Sequence, residues 1–196
     1  TTYWYHEFLG KLIEEYTSVS VAGTHGKTTT TGMVSHMMSL VAPTGYLIGD
    51  GTGEMPQDSK YFIVESCEYK RHFLAYRPNY AILTNIELDH VDYYKDLADY
   101  CDAFEAFANQ VKKGIVMFGD DANVRSLKVT TKHLYYGLEE DNDVRAVNVI
   151  QNENGMSFDV IYQNTVFGSF KLPFVGKPLL WNSLGVIAVG IMEGLS

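Results

Sequence analysis

Short apolar runs alternate with helical patterns over the first two thirds of the chain. Six of these runs have the apolar, β-branched character of strands buried in a parallel sheet. They are 18–22, 44–48, 61–65, 80–84, 114–118 and 133–136. The helix after the first run is predicted to turn one side inward: Met33, Val34, Met37, Met38 and Val41. The alternation predicts an α/β fold with a doubly wound, mostly parallel sheet flanked by helices.

The alternation of strand-like and helical segments ends after residue 143. Three strand-like runs joined by short turns predict a small antiparallel three-stranded meander over about 144–172. The runs are 144–151, 156–162 and 165–172. We expect a loop bracketed by Pro173 and Pro178, followed by a nearly all-apolar, buried helix over 179–192.

Two further helices are predicted from apolar spacing. Residues 7–16 place Phe8, Leu12, Ile13 and Tyr16 on one face. The second helix begins after Asp96, a suitable N-cap. Its predicted inward side chains are Leu97, Tyr100, Cys101, Phe104, Phe107 and Val111.

Composition narrows the functional classes. A chain of 196 residues with 46% hydrophobic content can bury one substantial core. The net charge of −9 argues against a broad nucleic-acid or anionic-membrane surface, so we expect small-molecule partners. Cys67 and Cys101 lack metal-binding spacing, and no signal peptide or membrane-length apolar run is seen. We therefore expect a cytoplasmic protein with free thiols.

The loop after the first strand has the composition of a phosphate-binding loop. Gly23 and Gly26 allow the backbone to approach an anion, and the helix that follows directs its positive end toward it. Lys27 can reach terminal phosphates, and Thr28 offers a hydroxyl to Mg²⁺. The spacing departs from the usual Gly-x4-Gly-Lys-Ser/Thr because Val21 occupies the first glycine position.

Polar side chains follow two other strands at what should be the same edge of the sheet. Glu65 ends one strand, and His90 lies in the segment after another. With Thr28 they form a candidate Mg²⁺ set, in which Glu65 is the stronger candidate because Mg²⁺ prefers oxygen ligands. Outside this set, Glu68 and Arg71 are interpreted as the polar start of a helix rather than as substrate contacts.

Three segments together resemble the central, ATP-binding domain of the Mur ligases, which add amino acids to UDP-N-acetylmuramate in peptidoglycan synthesis. They are Ala22-Gly-Thr-His-Gly-Lys-Thr-Thr-Thr-Thr31, Glu65-Ser-Cys-Glu-Tyr-Lys-Arg-His-Phe73 and Thr84-Asn-Ile-Glu-Leu-Asp-His90 with Asp92-Tyr93. The similarity covers nearly the whole chain and is greatest to the alanine-adding branch. Other branches carry a carbamylated lysine at the position that corresponds to Phe104.

The resemblance implies ATP and Mg²⁺ as cofactors, with UDP-N-acetylmuramate and L-alanine as the other substrates. By that resemblance Lys27 holds the β- and γ-phosphates, Thr28 and Glu65 take one Mg²⁺, and Glu65 with His90 takes a second. The implied catalytic residues are thus Lys27, Glu65 and His90. The implied nucleotide-binding residues are Gly23, Thr24, His25, Gly26, Lys27, Thr28, Thr29, Asn85 and Asn182.

The chain departs from the family in two respects. The adenine-reading motif Gly-x-His-Asn-x-x-Asn is here Gly176-Lys-Pro-Leu-Leu-Trp-Asn182, which retains only its last asparagine. We also expect the family's amino-terminal and carboxy-terminal domains to be absent, with residues 1–17 a linker-helix remnant and 18–196 the central domain. By itself this domain is expected to be inactive.

Two alternatives stay open at this point. One is the related ligase that recycles murein tripeptide onto the same nucleotide sugar. The other, from a different functional class, is a module that binds nucleotide without catalysis.

Overall fold

The structure, a computed structural model, describes residues 2–195. In that range the strands are β1 Thr17–Ala22, β2 Thr44–Leu47, β3 Gly53–Glu54, β4 Tyr61–Glu65, β5 Tyr80–Leu83, β6 Gly114–Phe118, β7 His133–Gly137, β8 Val144–Asn152, β9 Gly155–Tyr162 and β10 Thr165–Leu172. The helices are α1 Tyr5–Ile13, α2 Lys27–Ser39, α3 Leu97–Ala108, α4 Ala122–Arg125 and α5 Lys177–Glu193, with a 3-10 turn at Tyr69–Ala75.

The strands form one sheet in the order β10-β9-β8-β7-β6-β5-β1-β4-β2-β3. The pairings from β7 through β6, β5, β1 and β4 to β2 are all parallel. The predicted doubly wound, mostly parallel sheet is therefore confirmed. Because β1 lies between β4 and β5, the loops after these three strands meet at one edge.

The predicted antiparallel meander is present, and it extends the same sheet. β8 pairs with β9 and β9 with β10 in antiparallel register. Parallel pairing of β7 with β8 joins this unit to the central strands, at Tyr136 with Val144 and Gly137 with Arg145.

Helices cover both faces of the sheet and produce two apolar cores. On one face α2 and α5 bury side chains against the central strands, including Val34, Met38, Leu184, Val189, Val19, Ile63 and Val116. On the other face α1, α3 and the 3-10 turn contribute Leu9, Ile13, Phe73, Tyr100, Phe104 and Phe107. The strands between them carry near-continuous apolar residues because both of their faces are buried.

Three apolar helix-region residues predicted to face inward are exposed in the structure. Phe8 is 54% exposed, and α1 instead buries Leu9 and Ile13, which are four residues apart and share a face. Val41 and Leu97 are also exposed, since one lies beyond the end of α2 and the other in the first turn of α3.

Two helices begin with residue types that are common at helix starts. Asp96 caps α3 as predicted, because its carboxylate accepts a hydrogen bond from the Asp99 amide at 2.9 Å. Pro178, predicted in a loop, lies instead in the first turn of α5. Proline is tolerated there because the amide that it lacks would have no partner within the helix.

Candidate functional site

Residues 23–26, the glycine loop, connect β1 to α2 and pack between the end of β5 and the start of α5. Gly23 and Gly26 have φ angles of +136° and +80°, which side-chain-bearing residues rarely adopt. A Cβ atom on Gly23 would lie 2.0 Å from Thr84 Oγ1, and one on Gly26 would lie 2.8 Å from Asn182 Oδ1. Both glycines are therefore required by the backbone geometry and by the lack of space.

Side chains from the loop after β5 fix the shape of the glycine loop. Asn85 accepts from the His25 amide at 2.9 Å and donates to the His25 carbonyl at 3.0 Å. Thr84 donates to the same carbonyl at 2.7 Å. Thr24 Oγ1 accepts from the Glu87 amide at 2.9 Å. Thr24 and Asn85, both predicted to bind nucleotide, thus bind the backbone that would surround it.

The amino-terminal end of α2 is available to an anion. The helix begins at Lys27, and no side chain in the described residues caps it at Gly26. Thr28 and Thr29 are exposed on its first turn. The free amides of a first helical turn and the helix dipole together favour a phosphate group at this position.

A buried ion pair lies at the centre of the site. Lys27 Nζ lies 3.1 Å from Glu68 Oε1, and Glu68 is only 3% exposed. The ammonium group also donates to the carbonyl oxygens of Gly23 at 2.7 Å and Thr24 at 3.2 Å. The lysine is therefore held at the loop by three oxygens.

His90 approaches the same carboxylate from the loop after β5. Its Nε2 lies 3.4 Å from Glu68 Oε1, and the Tyr69 ring lies 4.8 Å from the imidazole ring. Tyr69 donates its hydroxyl to Asp92 at 2.8 Å, and this hydrogen bond raises the pKa of Tyr69. Tyr69 thus lies over His90 with its own hydroxyl fixed.

Glu65 lies beside Thr28 rather than beside His90. Its two carboxylate oxygens accept from Thr28 Oγ1 at 3.2 Å and from the Gly49 amide at 2.9 Å. That Glu65 and His90 share a Mg²⁺ stays a prediction, and the carboxylate in direct contact with His90 in the structure is that of Glu68. Since β4 ends at Glu65, the chain turns there and brings the residue three positions later to the imidazole.

Glu68 is a site residue that its sequence position does not reveal. That position indicates the polar start of a helix, but in the structure Glu68 is buried against Lys27 and His90. The sequence signal for Glu68 is that a second carboxylate follows three residues after Glu65, which ends a buried strand. What the sequence could not supply was the conformation of the turn, which decides which of the two carboxylates points inward.

A cavity of about 440 Å³ adjoins the glycine loop. Its apolar wall contains Phe118 and Trp181, whose ring centres are 5.0 Å apart. Asn182, which is 8% exposed, lies at the end of the cavity next to Gly26. The other lining residues are His25, Thr84, Asn85, Glu87, Asp120, Asp121 and Pro178. A flat aromatic ligand attached to phosphates at the loop would fit this arrangement.

The remaining sequence candidates concern metals, thiols and membranes. The described residues contain no cluster of three or more His, Cys, Asp or Glu side chains arranged to hold a metal. Cys67 and Cys101 are free, and burial raises the pKa of each thiol, which disfavours the reactive thiolate. Among residues 2–195 no helix has the length and apolar character needed to cross a membrane.

Comparison with known proteins gives consistent matches. The model of the Mur ligase middle domain matches residues 21–190. UDP-N-acetylmuramate–L-alanine ligase of Lactiplantibacillus plantarum is 54% identical over 97% of this chain and 44% of the relative. The ligase of the same name from Lacticaseibacillus casei is 53% identical over 100% of this chain and 45% of the relative. The chain thus spans less than half the length of these curated relatives.

Solved structures show the same architecture. The UDP-N-acetylmuramate-alanine ligase MurC of Thermotoga maritima superposes with a TM-score of 0.82 at 26% identity, over 97% of this chain and 45% of that chain. The UDP-N-acetylmuramate:L-alanyl-gamma-D-glutamyl-meso-diaminopimelate ligase (MPL) of Neisseria meningitides has a TM-score of 0.85 at 27% identity, over 97% of this chain and 66% of that chain.

The packing of the glycine loop can be tested with two alanine substitutions. We expect Gly23→Ala to lower the thermal unfolding midpoint, because its Cβ would collide with Thr84 and its φ angle would be strained. Gly32→Ala is the matched control, since a Cβ on Gly32 meets no atom within 4 Å and alanine favours a helix by about 1 kcal/mol over glycine. Equal midpoints for Gly23→Ala and the parent would contradict this account of the loop.

Proposed function

Because this chain belongs to the Mur ligase middle-domain family, we propose that it is the ATP-binding domain of a ligase that joins L-alanine to UDP-N-acetylmuramate. The names of the two lactobacillar relatives support this choice of substrates. The observation that carries the proposal is the meeting of Lys27, Glu68 and His90 beside an uncapped helix start. These are the groups that a nucleoside triphosphate and its metal require at one place.

The proposed orientation of ATP follows from the positions of charge and apolar surface. The phosphates would lie along residues 23–29, where Lys27 and the first turn of α2 offer donors. The base would enter the cavity against the wall formed by Phe118 and Trp181, with Asn182 between base and phosphates. In this arrangement the aromatic wall supplies apolar contact in place of the altered family motif.

The polar groups around Lys27 fit a Mg²⁺ ion. Glu68 Oε2 is buried and has no hydrogen-bond partner among the described residues, which would be costly for a carboxylate without a ligand. Thr28 and Glu65 offer further oxygens nearby. We therefore add Glu68 to the proposed metal-binding residues as the partner of His90, beside the separate pair of Thr28 and Glu65. When bound, Mg²⁺ would supply positive charge against the phosphate oxygens.

In this proposal the side chains of the chain act by holding charge in place. Lys27 stabilises the negative charge on the transferring phosphoryl group, and the glycine loop fixes its position. The product of that transfer would be an acyl phosphate of the muramyl carboxylate, which the alanine amine then attacks. The acceptor carboxylate must lie in line with the γ-phosphate, so positioning contributes much of the rate.

The related murein-peptide ligase is the second candidate function. Its solved representative superposes well at 27% identity, which is close to the 26% of the Thermotoga maritima alanine ligase but about half that of the two lactobacillar alanine ligases. The higher identity favours alanine. A module that binds nucleotide without catalysis is the third candidate, and a chimera described below separates it from the first two.

The first test concerns Lys27. Lys27→Ala should weaken ATP binding about tenfold or more, because a hydrogen bond to a charged group contributes about 1.5–3 kcal/mol. NMR titration with ATP measures even weak affinities, and Lys132→Ala, which removes an exposed lysine, is the control. Equal affinities of Lys27→Ala and the parent would remove Lys27 from the site.

The second test separates the metal ligands. Glu65→Gln and Glu68→Gln should each reduce the Mg²⁺-dependent gain in ATP affinity more than His90→Ala does, because a carboxylate is the harder ligand for this cation. Glu153→Gln, in an exposed turn, is the control. A larger loss in His90→Ala than in both carboxylate variants would show that the ligands are misassigned.

The third test addresses substrate. In a chimera, this chain replaces the matching segment of the Lactiplantibacillus plantarum ligase, and phosphate release is measured with ATP and UDP-N-acetylmuramate. We expect release that depends on L-alanine. Release that depends instead on the murein tripeptide would favour the recycling ligase. A folded chimera that binds ATP without releasing phosphate would favour the non-catalytic module.

A further inference from the structure

The turn that carries Glu68 has an unusual backbone. Lys70 and Arg71, neither of them glycine, have φ angles of +51° and +59°. Two consecutive residues in the left-handed region are unfavourable and persist only where surrounding contacts hold them. The conformation directly follows Glu68, so whatever holds this turn also determines where the Glu68 carboxylate points.

Arg71 connects this turn to the start of α3. Its Nη2 donates to Asp99 Oδ1 at 2.6 Å and to the Asp99 carbonyl at 3.2 Å. Both side chains are 28% exposed, so this ion pair is shielded from water more than a surface pair would be. Asp99 is itself fixed, because its amide donates to Asp96. The arginine is thus bound to a rigid helix end.

Tyr94 links Arg71 to Glu68. The guanidinium group of Arg71 lies 5.5 Å from the centre of the Tyr94 ring, within the range of a cation–π contact. The Tyr94 hydroxyl donates to the backbone carbonyl of Glu68. Burial raises the pKa of Tyr94 to about 12, which keeps this hydroxyl protonated as a donor. Glu68 is therefore held at its main chain by Tyr94, and Tyr94 in turn lies against Arg71.

We propose that Arg71 is a positioning residue for the metal-binding carboxylate. Through Asp99 and Tyr94 it holds the strained turn so that Glu68 faces Lys27 and His90. This inference rests on the proposed function, since it assumes that Glu68 takes part in binding Mg-ATP. The donors of Arg71 are directed at Asp99 rather than toward the cavity, so its effect on nucleotide binding passes through Glu68.

The test compares ATP affinity with and without Mg²⁺. Arg71→Met should weaken Mg-ATP binding about tenfold, as changes behind a metal ligand commonly do, and leave the affinity for metal-free ATP unchanged. Arg71→Lys should restore only part of the loss, because a compact ammonium group cannot both donate to Asp99 and lay a planar cation against the Tyr94 ring. Arg77→Met is the control, since Arg77 donates only to the carbonyls of Leu74 and Tyr76 at the end of the same segment.

A double substitution shows whether the effect passes through Glu68. In a Glu68→Gln background, Arg71→Met should cause no further loss of Mg-ATP affinity. Additive losses would overturn the inference, as would an equal loss of metal-free ATP affinity in Arg71→Met. Either result would mean that Arg71 acts on the nucleotide or on the whole fold.

Failure of the proposed function gives a different result. If Glu68→Gln leaves Mg-ATP affinity unchanged, then the metal role of Glu68 is wrong. Hydrogen exchange then tests the positioning role by itself. The Phe73 amide, which donates to Cys67 within this turn, should exchange faster in Arg71→Met than in Arg77→Met. Equal exchange rates would overturn the positioning role.

Discussion

The buried ion pair between Lys27 and Glu68 is the interaction on which the site depends. A carboxylate that is 3% exposed needs a compensating charge, because the loss of its hydration is costly. Lys27 supplies that charge from the first residue of α2, and Glu68 meets it from the turn after β4. The two can meet because β1 and β4 are neighbours in the sheet. The ion pair therefore joins the glycine loop to the adjacent strand end.

The start of α2, next to this ion pair, offers an acidic chain a place where a phosphate would be attracted. With a net charge of −9, the protein as a whole repels a polyanion. Attraction must then come from groups close to a phosphate, which here are the Lys27 ammonium and the free amides at the start of α2. Interactions at such short range lie within the Debye length of about 8 Å at physiological ionic strength, so salt screens them little. Mg²⁺ bound at Glu68 would add to this local positive charge.

Three aromatic rings pack in a column and contact the site at Glu68 and at Thr24. Tyr94, Tyr100 and Phe104 pack edge to face, with ring centres 4.7 Å and 5.1 Å apart. Tyr94 hydrogen-bonds to Glu68, and the Tyr100 hydroxyl lies 3.3 Å from Thr24 Oγ1 in the glycine loop. Phe104 is fully buried in this column.

The sequence by itself determined every described strand except the two-residue β3, every described helix except the four-residue α4, and the residues of the glycine loop. These features are local: buried strands need continuous apolar runs, and a loop pressed against neighbouring strands needs Gly23 and Gly26. The resemblance of three motifs was also sufficient to indicate the family. The tertiary structure decided which carboxylate contacts Lys27 and His90. Glu65 and Glu68 have the same chemistry and differ only in how the turn after β4 folds. That conformation depends on Arg71 and Asp99, whose contact joins residues 28 positions apart and has no local sequence pattern.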